Sequence, residues 1–158
     1  MQVLFGVSKV LSMTKNRDSI SFTLGSDLST IEPVVMRAEE FVQKECGATD
    51  TWRLSLVLQE LLANAVLHGN RREAKRLIKC HIERLPDEQF TIVVEDEGDG
   101  FDFASLDTSL PENPRCIQNR GYVLITNICS GLEFNEKGNR VTAFLERRTA
   151  NQKGQKTL

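Results

Sequence analysis

Apolar and polar positions alternate between residues 19 and 24, with Ile20, Phe22 and Leu24 on one side, the period of a half-buried strand. Ser29 or Thr30 is placed to cap a helix whose first turn holds Glu32 and Pro33. That helix runs to about Cys46, where Gly47 stops it. Asp50 or Thr51 opens a second helix, which reaches His68 before Gly69 ends it. Two strands are expected at 76–84 and 89–95, with Pro86-Asp87 at the hairpin between them. From 101 to 118 the chain is irregular and holds Pro111 and Pro114; a stretch of this kind inside a compact domain often serves as a lid. A short helix over 121–129 and two strands at 131–135 and 140–146 close the chain, with Lys137-Gly138-Asn139 at the last turn. The order strand, two helices, hairpin, helix, hairpin predicts an α+β fold, a two-layer α/β sandwich with helices on one face of a mixed sheet.

A length of 158 residues suits one domain. Residues 1–18 read as an N-terminal extension, 19–148 as the domain, and 149–158 as a polar tail expected to be disordered. The formal net charge of −2 gives no bulk attraction to nucleic acid. No apolar run approaches the roughly 20 residues that cross a bilayer, so no membrane partner is expected. Residues 1–13 are mildly apolar but lack a basic leading region and a cleavage site; they read as a frayed or docked N-terminus of a cytoplasmic protein, with Met13 an alternative start. Cys46, Cys80, Cys116 and Cys129 form no C-x-x-C pair, and only Cys80 adjoins a histidine, His81. Buried free thiols in a reducing compartment fit this better than zinc or a redox pair.

On a helical wheel the segment 51–69 is apolar over most of its circumference, with Leu54, Leu58, Leu61 and Ala65 on one side and Leu62 and Val66 behind. One narrow polar stripe remains, made of Arg53, Glu60, Asn64 and His68, the last three spaced four apart. The stripe is either the wet side of the helix or a set of groups that a polar ligand and a metal ion would satisfy.

The strand 90–96 ends in Asp96-Glu97-Gly98-Asp99-Gly100. The two glycines let backbone approach a flat ligand without Cβ interference, and Asp96 could accept a hydrogen bond from an exocyclic amine. A tight acidic turn is the plainer alternative. A calcium loop is discounted, because its twelfth position needs a bidentate carboxylate and would fall on Leu106.

The string Glu60-Leu-Leu-Ala-Asn64-Ala-Val-Leu-His68-Gly69, followed by Asp96-Glu-Gly98-Asp-Gly100, resembles the GHKL ATPase superfamily of gyrase, histidine kinases and mismatch-repair ATPases. Within it, the chain looks most similar to the anti-sigma-factor serine/threonine kinases of bacteria, short chains with an E-x-x-x-N-A-x-x-H-G helix and a D-x-G-x-G strand end. The resemblance covers about residues 19–148 and implies the Bergerat ATP-binding fold. It further implies ATP and Mg2+ as ligands, with Asn64 on the metal through its amide oxygen, Glu60 as general base and His68 closing the motif beside the nucleotide. Asp96 would read the adenine amino group, Gly98, Gly100 and Phe101 would wall the base, and 101–118 would form the lid. Where that family usually has G-x-G, this chain reads Asn119-Arg120-Gly121. Gly121 matches the second glycine, Asn119 tolerates left-handed backbone angles, and Arg120 is either a phosphate contact or an exposed surface arginine. Asn139 stands where the family often has threonine.

The resemblance implies a kinase acting on a serine or threonine of an anti-anti-sigma-type protein, with a sigma factor as a further partner and a homodimer as the assembly. Two other readings stand beside it. One is a binding module that sequesters a regulator and uses nucleotide as a cue. The other is the ATP-binding end of a split histidine kinase, disfavoured because no helix carries a phosphorylatable histidine in a dimerisation pair. The basic run over 71–76 reads as a solvated loop or a contact for an acidic partner, and Trp52 as core or edge packing.

Overall fold

A computed structural model describes residues 10–47, 51–107 and 120–146. In chain order the elements are β1 (Val10–Lys15), β2 (Ser19–Gly25), α1 (Ile31–Cys46), α2 (Trp52–Asn64), β3 (Leu77–Arg84), β4 (Phe90–Asp96), α3 (Arg120–Ile128), β5 (Gly131–Phe134) and β6 (Arg140–Leu145). The strands form one six-stranded sheet in the order β1-β2-β3-β4-β6-β5. Alternate residues of the central strands, Ile20, Phe22 and Leu24, Ile78, Cys80 and Ile82, Ile92 and Val94, point inward and are buried. Val34, Ala38 and Phe41 of α1 and Leu54, Leu58, Leu61 and Leu62 of α2 complete the same core. The other face carries Ser21, Lys79, His81 and Glu83, so the two-layer arrangement with helices on one face holds.

The sheet is not mixed. Every neighbouring pair of the described strands is antiparallel. The crossover through α3 does bring β5 back in the direction of β4, but the β5–β6 hairpin inserts β6 between them. The chain before the first expected strand is docked over residues 10–15 as β1, paired to β2 across an irregularity between Val10 and Ser12.

The helix boundaries follow the sequence with local differences. Gly47 ends α1 in the left-handed region at φ 64, as its lack of Cβ allows. The entry to α1 is fixed earlier than expected, by Asp27, whose carboxylate accepts from the Ser29 N–H at 2.9 Å while the Thr30 hydroxyl turns back to the Asp27 carbonyl at 2.6 Å. α2 does not run evenly to His68. It ends at Asn64 and widens into a π turn over Ala65–Gly69, because the Asn70 N–H bonds the Ala65 carbonyl at 2.7 Å. Trp52 is 52% exposed at the start of α2 and is not a core residue. Cys80 is buried and Cys129 half-buried, both free; burial pushes the Cys80 thiol up to about 12. Asn119, the tail 149–158, Cys116 and the lid beyond residue 107 lie outside the described residues. Among the described residues no helix is long and apolar enough to cross a membrane.

Leu58 is fully buried where α2 meets the sheet. Leu58→Ala is expected to lower unfolding free energy by about 3 kcal/mol through lost transfer energy and a residual cavity, measured by urea titration.

Candidate functional site

The C-terminal end of α2 is pinned to the sheet by a residue that follows the expected helix. Asn70 is fully buried. Its amide nitrogen donates to the Ser26 hydroxyl at 2.7 Å and the Leu77 carbonyl at 2.9 Å. Its amide oxygen accepts from the Glu97 N–H at 2.8 Å. One side chain thereby ties together the segment after β2, the start of β3 and the residue just past β4. The approach is so close that a Cβ at Gly69 would overlap the Asp96 carboxylate, and one at Gly98 would overlap the Gly69 carbonyl. These glycines are required by contact, not by backbone angle.

Asp96 is held from the other side as well. Its N–H donates to the Asn139 carbonyl at 2.9 Å, and the Asn139 amide donates to the Asp96 carbonyl at 2.7 Å. The Asn139 amide oxygen accepts from Asn135 at 2.8 Å. Gly100 and Gly138 have positive φ, 80 and 76, and a Cβ on either would overlap the Lys137 or the Phe101 carbonyl respectively. The strand end and the last hairpin are thus interlocked backbone to backbone. One carboxylate oxygen of Asp96 accepts from the Gly98 N–H at 2.8 Å. Burial nevertheless raises its pKa above the ordinary aspartate value, with the Gly98 N–H, Lys137 and Arg76 opposing and Glu95 adding.

Between these clamps lies a cleft of about 450 Å³. Asn64, His68 and Asp96 line it together, and so do Gly100, Phe101 and Asn139. Arg120 and Gly121 reach it from the first turn of α3. Glu60 and Gly98 are not among its lining residues. Gly98 is buried behind the wall against Gly69. Glu60 stands at the margin, with one carboxylate oxygen 2.7 Å and the Asn64 amide nitrogen 3.5 Å from where a Cβ on Gly121 would be. The Asn64 amide nitrogen is buried without a hydrogen-bond partner among the described residues.

The far wall is aromatic. Phe101 stacks on Tyr122 with centroids 5.6 Å apart and meets Phe134 edge-on at 5.3 Å, while Phe103 stacks on Phe134 at 5.0 Å. Of these, Tyr122 and Phe134 line the cleft beside Phe101. Neither they nor Asn70 stood out in the sequence. Tyr122 follows the Gly121 of a recognised motif and is the chain's one tyrosine, the only cue available. An asparagine after a helix-ending glycine reads as ordinary loop.

The sequence model of the histidine kinase-like ATPase domain matches residues 24–145. The chain belongs to this family. None of the curated proteins matches it. Among solved structures, the histidine kinase domain from the Erythrobacter litoralis EL346 blue-light activated histidine kinase is similar at 17% identity and a TM-score of 0.42, covering 77% of this chain and 59% of that one. The chain therefore spans less than two thirds of that structure. In this histidine kinase-like ATPase domain, the residues matched by the family run from the end of β2 to the end of β6 and contain both walls of the cleft.

The raised pKa of Asp96 has a definite sign in stability. The native state holds the Asp96 proton more tightly than the unfolded chain does. The stabilisation from this group is complete below the unfolded value of about 3.9 and is lost as pH rises through the raised native value. Asp96→Asn, which keeps the acceptor for Gly98, is expected to melt higher than wild type at neutral pH. Its advantage should shrink as pH falls through the raised native value of Asp96 and be gone below the unfolded value of about 3.9, a trend read by scanning calorimetry.

Proposed function

We propose that the domain binds Mg-ATP and transfers its γ-phosphoryl group to a serine or threonine hydroxyl of a small regulatory protein of the anti-anti-sigma type. The observation that carries this reading is that Asn64 and Asp96 line one cleft, with Glu60 at its margin across Gly121. The half-buried carboxylate of Asp96 is an acceptor suited to the adenine amino group, and the aromatic wall gives the purine a face to pack on. The residues fit a magnesium ion. The Asn64 amide nitrogen is buried without a partner among the described residues, and a half-turn of that amide offers its oxygen instead. Mg2+ needs only one or two protein groups besides phosphate oxygens and water. Bound there by Asn64, it would neutralise charge on the terminal phosphates.

In the transfer, the partner's hydroxyl oxygen forms a bond to the γ-phosphorus as the bond to the β,γ-bridging oxygen breaks. The hydroxyl proton passes to the Glu60 carboxylate and ADP leaves. Arg120, exposed at the start of α3, supplies positive charge to the phosphate chain. A second reading, nucleotide-gated sequestration of a sigma factor or similar regulator without transfer, is favoured by one observation: Glu60 is outside the set of residues lining the cleft.

Calorimetric titration with ATP separates binding from its absence. Wild type is expected to bind with a magnesium dependence that Asn64→Ala removes, and Asp96→Asn is expected to weaken ATP by about tenfold or more through the lost carboxylate acceptor. Transfer is read with labelled ATP and candidate partner proteins. Label reaching a partner from wild type and falling by at least about a hundredfold in Glu60→Ala is the expected result for a general base. Equal label from both proteins removes Glu60 from that role, and tight binding with no transfer to any partner selects the sequestration reading.

A further inference from the structure

The sheet face that α1 and α2 leave uncovered has chemistry of its own. Ser21 of β2 and His81 of β3 stand directly opposite each other in the strand register. The Ser21 Oγ lies 2.7 Å from the His81 Nδ1. Glu83, two positions further along β3 and so on the same face, brings a carboxylate oxygen to 3.8 Å from the His81 Nε2. An ionised carboxylate accepts and does not donate, which favours the ring proton on Nε2, facing Glu83. Nδ1 is then the bare acceptor and the Ser21 hydroxyl is the donor. A serine that donates to the unprotonated nitrogen of a histidine has the polarity that nucleophilic catalysis requires.

The pair borders an open hollow of about 360 Å³, which Thr23, Lys79, Glu95 and Arg140 line together with Ser21 and His81. That volume is at the lower end of small-molecule sites. Arg140 approaches Glu95 at 3.9 Å, and Lys79, two positions before His81 on the same face of β3, adds an exposed ammonium group. Lys79 and Arg140 against Glu95 leave an excess of positive charge in the hollow, which favours an oxygen that gains negative charge there. The His81 side chain is 39% exposed, so water reaches it. A cross-strand contact made for sheet packing alone has no use for the hollow or for its cations.

We propose that Ser21 and His81 form a second active site, independent of the nucleotide reading, that hydrolyses esters of small carboxylic acids. The Ser21 Oγ bonds to the ester carbonyl carbon and its proton passes to the His81 Nδ1. The carbonyl electron pair moves onto oxygen, in the positive field of Lys79 and Arg140. As the pair returns, the bond to the alcohol oxygen breaks, and the alcohol leaves with the proton from Nδ1. Water then attacks the acyl-serine, giving its proton to Nδ1. The carboxylic acid departs and Ser21 regains its proton. Ester and water become acid and alcohol, with no further reactant. Glu83 is a positioning residue that holds the ring in the required tautomer.

The test treats the full chain, without nucleotide, with a fluorophosphonate that labels activated serines, and locates the label by mass spectrometry. Hydrolysis of p-nitrophenyl acetate is followed in parallel. The expected result is label on Ser21 of the folded protein and none there in urea. His81→Gln is expected to slow that labelling by at least about a hundredfold, the loss of a general base. Ester turnover should disappear in Ser21→Ala. Glu83→Ala is expected to lower kcat by roughly tenfold at unchanged KM, with partial recovery in Glu83→Asp. Where a variant does not fold, the contrast between folded and urea-unfolded wild type still decides. Absence of label from Ser21 overturns the proposal, and so does equal labelling in folded and unfolded protein or in His81→Gln. Label without ester turnover, or turnover that survives in Ser21→Ala, overturns the hydrolysis.

Discussion

The end of α2 and the end of β4 meet backbone against side chain, with no room for a methyl group between them. Gly69 faces the Asp96 carboxylate and Gly98 faces the Gly69 carbonyl, and Asn70 locks the approach through bonds to Ser26, Leu77 and Glu97. The π turn at Ala65–Gly69 is the local consequence. To bury Asn70 in the sheet layer the chain has to leave the α path, and the wider Ala65-to-Asn70 turn does so while keeping a backbone hydrogen bond. The separation between Asn64 and His68 on one wall and Asp96 on the other is set by this joint. Neither wall can shift without breaking buried hydrogen bonds, each of which would leave an unpaired polar group behind.

A second joint holds the same strand end from the opposite side. Asn139 exchanges bonds with the backbone of Asp96, and the paired positive-φ glycines 100 and 138 let two turns interleave. Asn139 thereby has a packing role at this turn, since its amide spans from the Asp96 carbonyl to Asn135. Past this joint the chain emerges as Phe101 and Phe103, which join Tyr122 and Phe134 in one aromatic group. The hairpin that inserts β6 beside β4 is what brings Phe134 to that place, so the antiparallel order of the sheet and the shape of the cleft have one cause.

Much of this architecture was legible from periodicity. The strands at β2, β3, β4 and β6 and the helices α1 and α2 obey the spacings of two and 3.6, and Gly47 stops α1 for the reason a left-handed glycine should. What escaped was governed by contacts distant in sequence. The sheet order depends on which side a hairpin enters, which alternation along one strand does not encode. The inward turn at Asn70 depends on partners 44, 7 and 27 residues away. Trp52 reads as core or edge packing, and the first turn of α2 leaves it 52% exposed. At the site, Asn64, His68 and Asp96 were found because two motifs pair them. Tyr122 and Phe134 were not, because an aromatic residue in a short helix or strand looks like core until its neighbours are known.

Departures from ordinary folding rules occur at Glu88, with φ 62 in the β3–β4 turn, and at the buried Nε of Arg53, without a partner among the described residues, but several gather in one place. A π turn, two successive non-glycine residues at positive φ, Arg71 and Arg72, a half-buried aspartate whose charge is disfavoured and a buried amide nitrogen with no partner all fall on the end of α2, the loop after it and the strand end it touches. Each departure costs stability locally, and a sequence selected for stability alone would relieve them, by a leucine at 64 or an asparagine at 96. Their gathering beside the cleft that Asn64 and Asp96 line supports the proposed reading, in which a ligand completes the polar network.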